Sequence, residues 1–174
     1  MDMFDRIASE MTNVHNVLIR GLNSIYLQAP HIQPAGEKSF CKYIIGWHGR
    51  LHSHHTGEER LFFPAIERLS GVKGIMDGNV EQHRVFHDGV DELKACAEHM
   101  LNGKTKYDGG KIVAIIDGFG SALTRHLADE IPTILSLKQY GKEKMGPLNK
   151  VVEQEAGEAV VCLSPVFGTW CSMY

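Results

Sequence analysis

The sequence predicts an all-α fold: an up-down-up-down antiparallel four-helix bundle followed by a short C-terminal tail. Three observations carry this. Four long stretches repeat apolar residues at alternating steps of three and four, the spacing that keeps one helix face toward a partner. The breaks between them are short and hold Pro or Gly. Alternating apolar and polar runs bounded by Asn-Gly or Asp-Gly turns, the mark of hairpin strands, are almost absent. Long amphipathic helices with short connectors pack as antiparallel neighbours.

The first helix is expected over about residues 3–28, with the seam Phe4, Ala8, Met11, His15, Leu18, Leu22 and Ile25. It stops before Pro30 and Pro34, where the chain cannot easily continue a helix. The second runs from about 37 to 70, with the seam Trp47, Leu51, His54, Glu58, Leu61 and Ala65. A rival seam lies one residue on, through His48, His52, His55, Glu59, Phe62 and Ile66, and would face inward if the helix turned by about 100°. Pro64 is expected to kink or end the regular part, and Ser70-Gly71 to close it. The third, about 76–102, carries Met76, Val80, His83, His87, Val90, Leu93, Ala97 and Met100. The fourth, about 109–138, carries Ile112, Ile116, Phe119, Leu123, His126, Glu130, Thr133 and Leu137, with Pro132 one turn past the polar pair. The bundle is thus assigned to 1–141. Residues 142–174 read as a tail that packs on it or is partly disordered.

Composition narrows the function. The 174 residues suit one domain, with 43% apolar and 22% charged side chains. A net charge of -3 gives no basic field for nucleic acid and no polybasic membrane patch. No apolar run approaches the roughly 18 residues of a membrane span. The N-terminus lacks a signal-peptide core, so the expected location is cytoplasmic. The four cysteines form no CxxC pair and read as reduced thiols, with a Cys162–Cys171 disulfide left open.

Ten histidines are unusual for this length. Each seam holds one near its middle: His15, His54, His83 and His126. His54 and His126 are followed four residues later by Glu58 and Glu130, and His83 by His87. Residues four apart share a helix face, with β-carbons roughly 5–6 Å apart. A single histidine on an apolar seam is usually a hydrogen-bonded core residue. Five at one depth, with two carboxylates that would be costly to bury unpaired, make chemical sense around cations. Imidazole nitrogen and carboxylate oxygen suit iron, manganese or zinc, and no cysteine joins to suggest structural zinc. Seven candidate ligands exceed one ion but fit two, with the glutamates as bridges. His55 and Glu59 are read as ligand-orienting or solvated. His48 and His52 are read as surface or rim residues, and His31, His99 and Asp129 as exposed.

The run His54-His55-Thr56-Gly57-Glu58-Glu59-Arg60-Leu61-Phe62-Phe63-Pro64 resembles the second-helix signature of the hemerythrin-like, or HHE cation-binding, family. The similarity covers about residues 5–140, with ligands on all four helices in matching order. It implies a non-heme di-iron centre in which His15, His54, His83, His87 and His126 are ligands and Glu58 and Glu130 bridge two iron ions, zinc or manganese being the lesser alternatives. Oxygen-carrying members place an aspartate five residues after the last histidine. Here that position is Ile131, and the acid is Glu130. That departure counts against simple oxygen transport, not against metal.

Two function classes follow from the resemblance. One is a module that binds or reacts with dioxygen, in oxygen or iron binding, storage or sensing. The other is a di-iron oxidase or oxygenase acting on a small organic molecule, with Tyr43, Trp47, Phe62, Phe86 and Phe119 as possible pocket walls and Phe167 and Trp170 as a cap. An iron-dependent interaction module ranks last.

Overall fold

The computed structural model describes residues 2–154, and all regular structure within them is helical. Residues 155–174, including Cys162, Cys171, Phe167 and Trp170, lie outside the described residues. Helix α1 spans Met3–Gln28, α2 Glu37–Gly57, α3 Phe63–Ser70, α4 Asp77–Leu101, α5 Gly109–Ser136 and α6 Lys142–Met145. Short 3-10 turns follow α1, precede α2 and follow α5. No helix among the described residues is long and apolar enough to cross a membrane.

Local chemistry sets the helix ends. The Asp2 carboxylate accepts from the Met3 N–H and Asp108 from the Lys111 N–H, each satisfying a donor that the first turn leaves without a backbone partner. Helix α3 stops where Gly71 takes φ of 73°, a left-handed conformation open to glycine at no side-chain cost.

The long helices pack as a closed ring. Helix α4 lies against α5 and α2, and α1 lies against α5 and α2. Glycines set two close approaches. A β-carbon on Gly89 of α4 would stand 2.8 Å from Phe119 Cβ of α5, and one on Gly21 of α1 would stand 2.6 Å from the Trp47 ring of α2. Trp47 also donates its indole N–H to the Leu18 carbonyl at 2.9 Å. It is a packing residue between α1 and α2. Met145 and Leu148 are fully buried against Met3, Phe4 and Ile66, so packed structure continues past residue 141.

The expected second helix is not one regular helix. A π-helical turn, Glu58–Phe62, joins α2 to α3, and the Phe63 N–H reaches five residues back to the Glu58 carbonyl. A π turn holds one extra residue and so shifts the inward face by one position. Trp47, Leu51 and His54 are buried before it and Glu58 at its start; Phe62 at its end and Phe63, Ala65 and Ile66 beyond it are buried, while Leu61 is only partly so. The two rival seams of the sequence are both used, one on each side of the turn. Pro64 lies just beyond, where its missing N–H would in any case break a regular ladder.

Candidate metal centre

The apolar core is in two parts. One holds Leu18, Leu22, Ile44, Leu51, Phe86, Leu93, Phe119 and Leu123. The other holds Phe4, Ile7, Met11, Phe62, Ile66, Met76 and Ile134. In sequence, His15, His54, Glu58, His83 and Glu130 each fall between a residue of one part and a residue of the other, with His126 at the edge of the first. They form a polar layer across the bundle. All six are buried, and Glu58, His126 and Glu130 expose nothing.

Their reactive atoms converge. His15 Nε2 is 3.1 Å from His54 Nε2 and 3.3 Å from Glu130 Oε2. His54 Nε2 is 3.1 Å from Glu58 Oε1, and His83 Nε2 is 3.5 Å from Glu58 Oε2. His83 Nε2 and His126 Nε2 stand 3.0 Å apart. Two sets result, each with donor atoms within 4.8 Å of one another: His55, Glu58, His83 and His126, and His15, His54, Glu58 and Glu130. Glu58 belongs to both.

The outer ring nitrogens explain which way the inner ones face. His15 Nδ1–H donates to the Leu127 carbonyl at 2.7 Å. His83 Nδ1–H donates to Glu59 Oε1 at 2.6 Å. His126 Nδ1–H donates to Gln82 Oε1 at 3.0 Å, while the other end of that amide donates to Asp129. Each partner can only accept, so each of these rings has its proton on Nδ1. In His83 and His126 a second proton, on Nε2, is opposed by burial. Desolvation pushes His54 and His55 well below the usual histidine range, lowers His83, and takes His126 to about 3. In His83, the Glu59 carboxylate offsets part of that shift.

The consequence decides the chemistry of the layer. The Nε2 atoms of His83 and His126 meet at 3.0 Å lone pair to lone pair, with no proton to share. The His55 Nε2 and both Glu130 oxygens are buried without a hydrogen-bond partner among the described residues. Donor atoms bound at about 2.1 Å and at right angles on one ion lie about 3 Å apart, which is the spacing observed. The donor set of nitrogens and oxygens therefore fits metal cations.

The family model for the hemerythrin HHE cation binding domain matches residues 6–136. The chain belongs to that family. Among curated proteins, this HHE chain is 34% identical over 153 residues to the dimeric xanthone biosynthesis cluster protein R11 of Cryptosporiopsis sp. (strain 8999). The match covers 85% of the chain and 56% of the relative, so the chain spans about half the length of that protein. No solved structure gives a significant match.

The structure brings together six of the seven ligands expected from sequence: His15, His54, Glu58, His83, His126 and Glu130. It does not bring in His87. That ring is 55% exposed and turned toward Asp91. The inward step after His83 is three residues, to Phe86, and the close α4–α5 approach at Gly89 keeps that face inward. His55 takes the place that His87 was expected to fill. Its ring stacks on His83 with centroids 4.2 Å apart. Glu59 orients His83, one of the two roles left open for it, and Gln82 was not foreseen. The signal for His55 and Glu59 was present in the doubled His54-His55 and Glu58-Glu59; nothing in the spacing singled out Gln82. His48, expected at the rim, is 7% exposed and bonded to Asp91.

One face of the layer opens outward. A cleft of about 190 Å³ between α2 and α4 is walled by His55, Glu59, His83 and Phe86 at its inner end.

Proposed function

We infer that this protein is a non-heme di-iron protein that binds or reacts with dioxygen, built as an up-down-up-down bundle around the buried layer. The observation that carries this is the opposed lone-pair geometry of His83 and His126 beside two fully buried carboxylates. Two overlapping four-residue donor sets sharing Glu58 support two ions, with Glu58 between them. Family membership favours iron over zinc or manganese. Both Glu130 oxygens lie in the layer, which supports Glu130 as a further bridge or a terminal ligand.

A ferrous pair, held by these residues, would supply electron donation to dioxygen. The protein's own residues do the rest. Leu127, Glu59 and Gln82 hold three imidazoles in the tautomer that presents Nε2 inward. The two core parts exclude bulk water above and below the layer. The cleft beside His55 and His83 gives a small diatomic its way in. The test is spectroscopic. Iron-loaded protein, reduced without oxygen and then exposed to air, is expected to develop a near-ultraviolet to visible charge-transfer band. Iron-loaded protein that stays colourless contradicts the reading.

The second reading is an oxidase or oxygenase for a small organic molecule. It is favoured by the relative, whose name places it in a biosynthesis cluster, and by the cleft itself. At about 190 Å³ the cleft is below the roughly 300–1,000 Å³ of pockets that enclose drug-sized ligands. A substrate would present only an edge to His55 and His83. Oxygen consumption that rises in step with oxidation of an added organic compound distinguishes this reading from simple binding.

A further inference from the structure

Four more side chains of ligand type gather at the outer end of the same cleft. His48 and His52 stand one turn apart on α2, and His87 and Asp91 one turn apart on α4. The pairs face each other. His48 Nε2 is 2.8 Å from Asp91 Oδ1, and His87 Nδ1 is 3.5 Å from Asp91 Oδ2. The His52 ring lies nearly parallel to that of His48, with centroids 5.9 Å apart and planes 11° from parallel. All four line the cleft whose inner wall is His55 and His83. The opening therefore leads from one histidine cluster to another.

We propose that His48, His87 and Asp91, with His52 beside them, form an outer site for a first-row divalent transition cation, from which the buried centre is loaded through the cleft. Residues at i and i+4 on a helix place two donors on one ion, as paired histidines do in helical zinc sites. Here two such pairs oppose each other, one from each wall. Donor atoms on one ion with bonds of about 2.1 Å lie about 3–4 Å apart; His48 and His87 each meet one Asp91 oxygen near that range, and since no three of these donors lie within 4.8 Å of one another the half-exposed His87 must swing toward His48 to close the site. Imidazole with one carboxylate suits iron, cobalt, manganese or zinc in the divalent state.

The site also has the physical character of a relay. Asp91 and His87 are each about half exposed, so a hydrated ion can reach them and they can reorient to release it. His48 is nearly buried and held by Asp91, which fixes one donor in advance. The inner set, by contrast, is closed over by two apolar layers. A cation needs a place to shed water before entering such an interior, since burying an unpaired charge is costly.

The loading role rests on the metal reading of the buried centre, and the test separates the two. Metal-loaded protein in anaerobic buffer is titrated with Co²⁺ by calorimetry. Wild type is expected to bind one further ion per chain. The double substitution His87→Gln with Asp91→Asn is expected to weaken that binding by about tenfold or more. The same variant, stripped of metal and given dilute Fe²⁺, is expected to load about tenfold more slowly and to reach the wild-type content. His126→Ala is expected to lose inner metal while keeping the outer Co²⁺ site. An unchanged titration in the double variant overturns the outer site. A lost titration with an unchanged loading rate overturns its role in loading. Equal metal content in wild type and His126→Ala overturns the inner centre and the loading with it, and the Co²⁺ titration then judges the outer site alone.

Discussion

The imidazoles of His83 and His126 are positioned by what they touch on the far side. Glu59 and Gln82 accept from their Nδ1 atoms, and this leaves two lone pairs facing each other at 3.0 Å. Outer partners of metal-bound histidines typically carry 10–100-fold of metal affinity. Glu59→Ala is therefore expected to weaken metal binding by roughly 10–100-fold while leaving helical content unchanged, as equilibrium dialysis and circular dichroism would show. His55→Ala is expected to lower metal content per chain, whereas His99→Ala, at an exposed position, leaves it at the wild-type level. Elemental analysis of the two variants side by side checks this. Protonation acts on the same groups. In an unfolded chain these rings titrate near 6.5, while the fold takes His126 to about 3 and lowers His54, His55 and His83. At high pH both states are neutral and the difference vanishes. As pH falls through about 6.5, the unfolded chain takes up protons that the fold refuses. The stability of metal-free protein is thus expected to decline from about pH 6.5 down toward 3. Denaturant melts of chelator-treated protein across that range measure it; a stability that rises on acidification contradicts it. Six of the side chains that converge in the layer were legible from residue type and spacing alone. His55 was left open as orienting or solvated, because the apolar neighbours Trp47, Leu51 and Leu61 favoured the seam through His54.

At the scale of the element, the second helical segment carries the most chemistry. A regular α-helix would have carried the buried face on from Glu58 to Leu61 and Ala65. At the end of α2, His54, His55 and Glu58 lie within one turn and reach the layer, Glu59 accepts from His83, and the Glu58–Phe62 π turn then shifts the buried face to Phe62 and Ile66. Both seams were visible in the sequence, but the turn that joins them was not. Phe62, Phe63 and Ile66 are buried at and just after the turn, and Pro64 beside it lacks the N–H that a regular ladder would use. Helix α4 shows the opposite case. A strict four-residue step picked His87, and the observed three-residue step to Phe86 follows from the α4–α5 contact at Gly89. That contact is testable. In a helix interior, Gly→Ala gains roughly 1 kcal/mol of propensity. At Gly89 the added β-carbon would meet Phe119 Cβ, a part of the side chain that cannot swing away, and overpacking costs typically about 1–3 kcal/mol. Gly89→Ala is expected to be destabilising and to weaken metal binding by moving His83 relative to His126. Gly118→Ala, with nothing within 4 Å, is expected to stabilise by about 0.5–1 kcal/mol. Denaturant midpoints of the two variants should therefore move in opposite directions.

At the scale of the molecule, a ring of packed helices holds two apolar cores with a polar layer between them. The all-helical class was legible in the periodicity of the chain, and so was the depth of the layer, because each seam turns polar near its middle. Less legible was the cleft, which forms only when α2 and α4 come together. The layer interrupts the core, so cations that satisfy it also couple metal binding to folding. Removing metal is expected to lower the melting temperature, by an amount that grows with the affinity of the ions. The most direct measurement is an anomalous-scattering map of crystals of the iron-loaded protein. The account predicts two peaks about 3.5–4 Å apart. One would be enclosed by His55, Glu58, His83 and His126, and the other by His15, His54, Glu58 and Glu130. A layer holding only water, with its imidazoles hydrogen-bonded to one another, would contradict it.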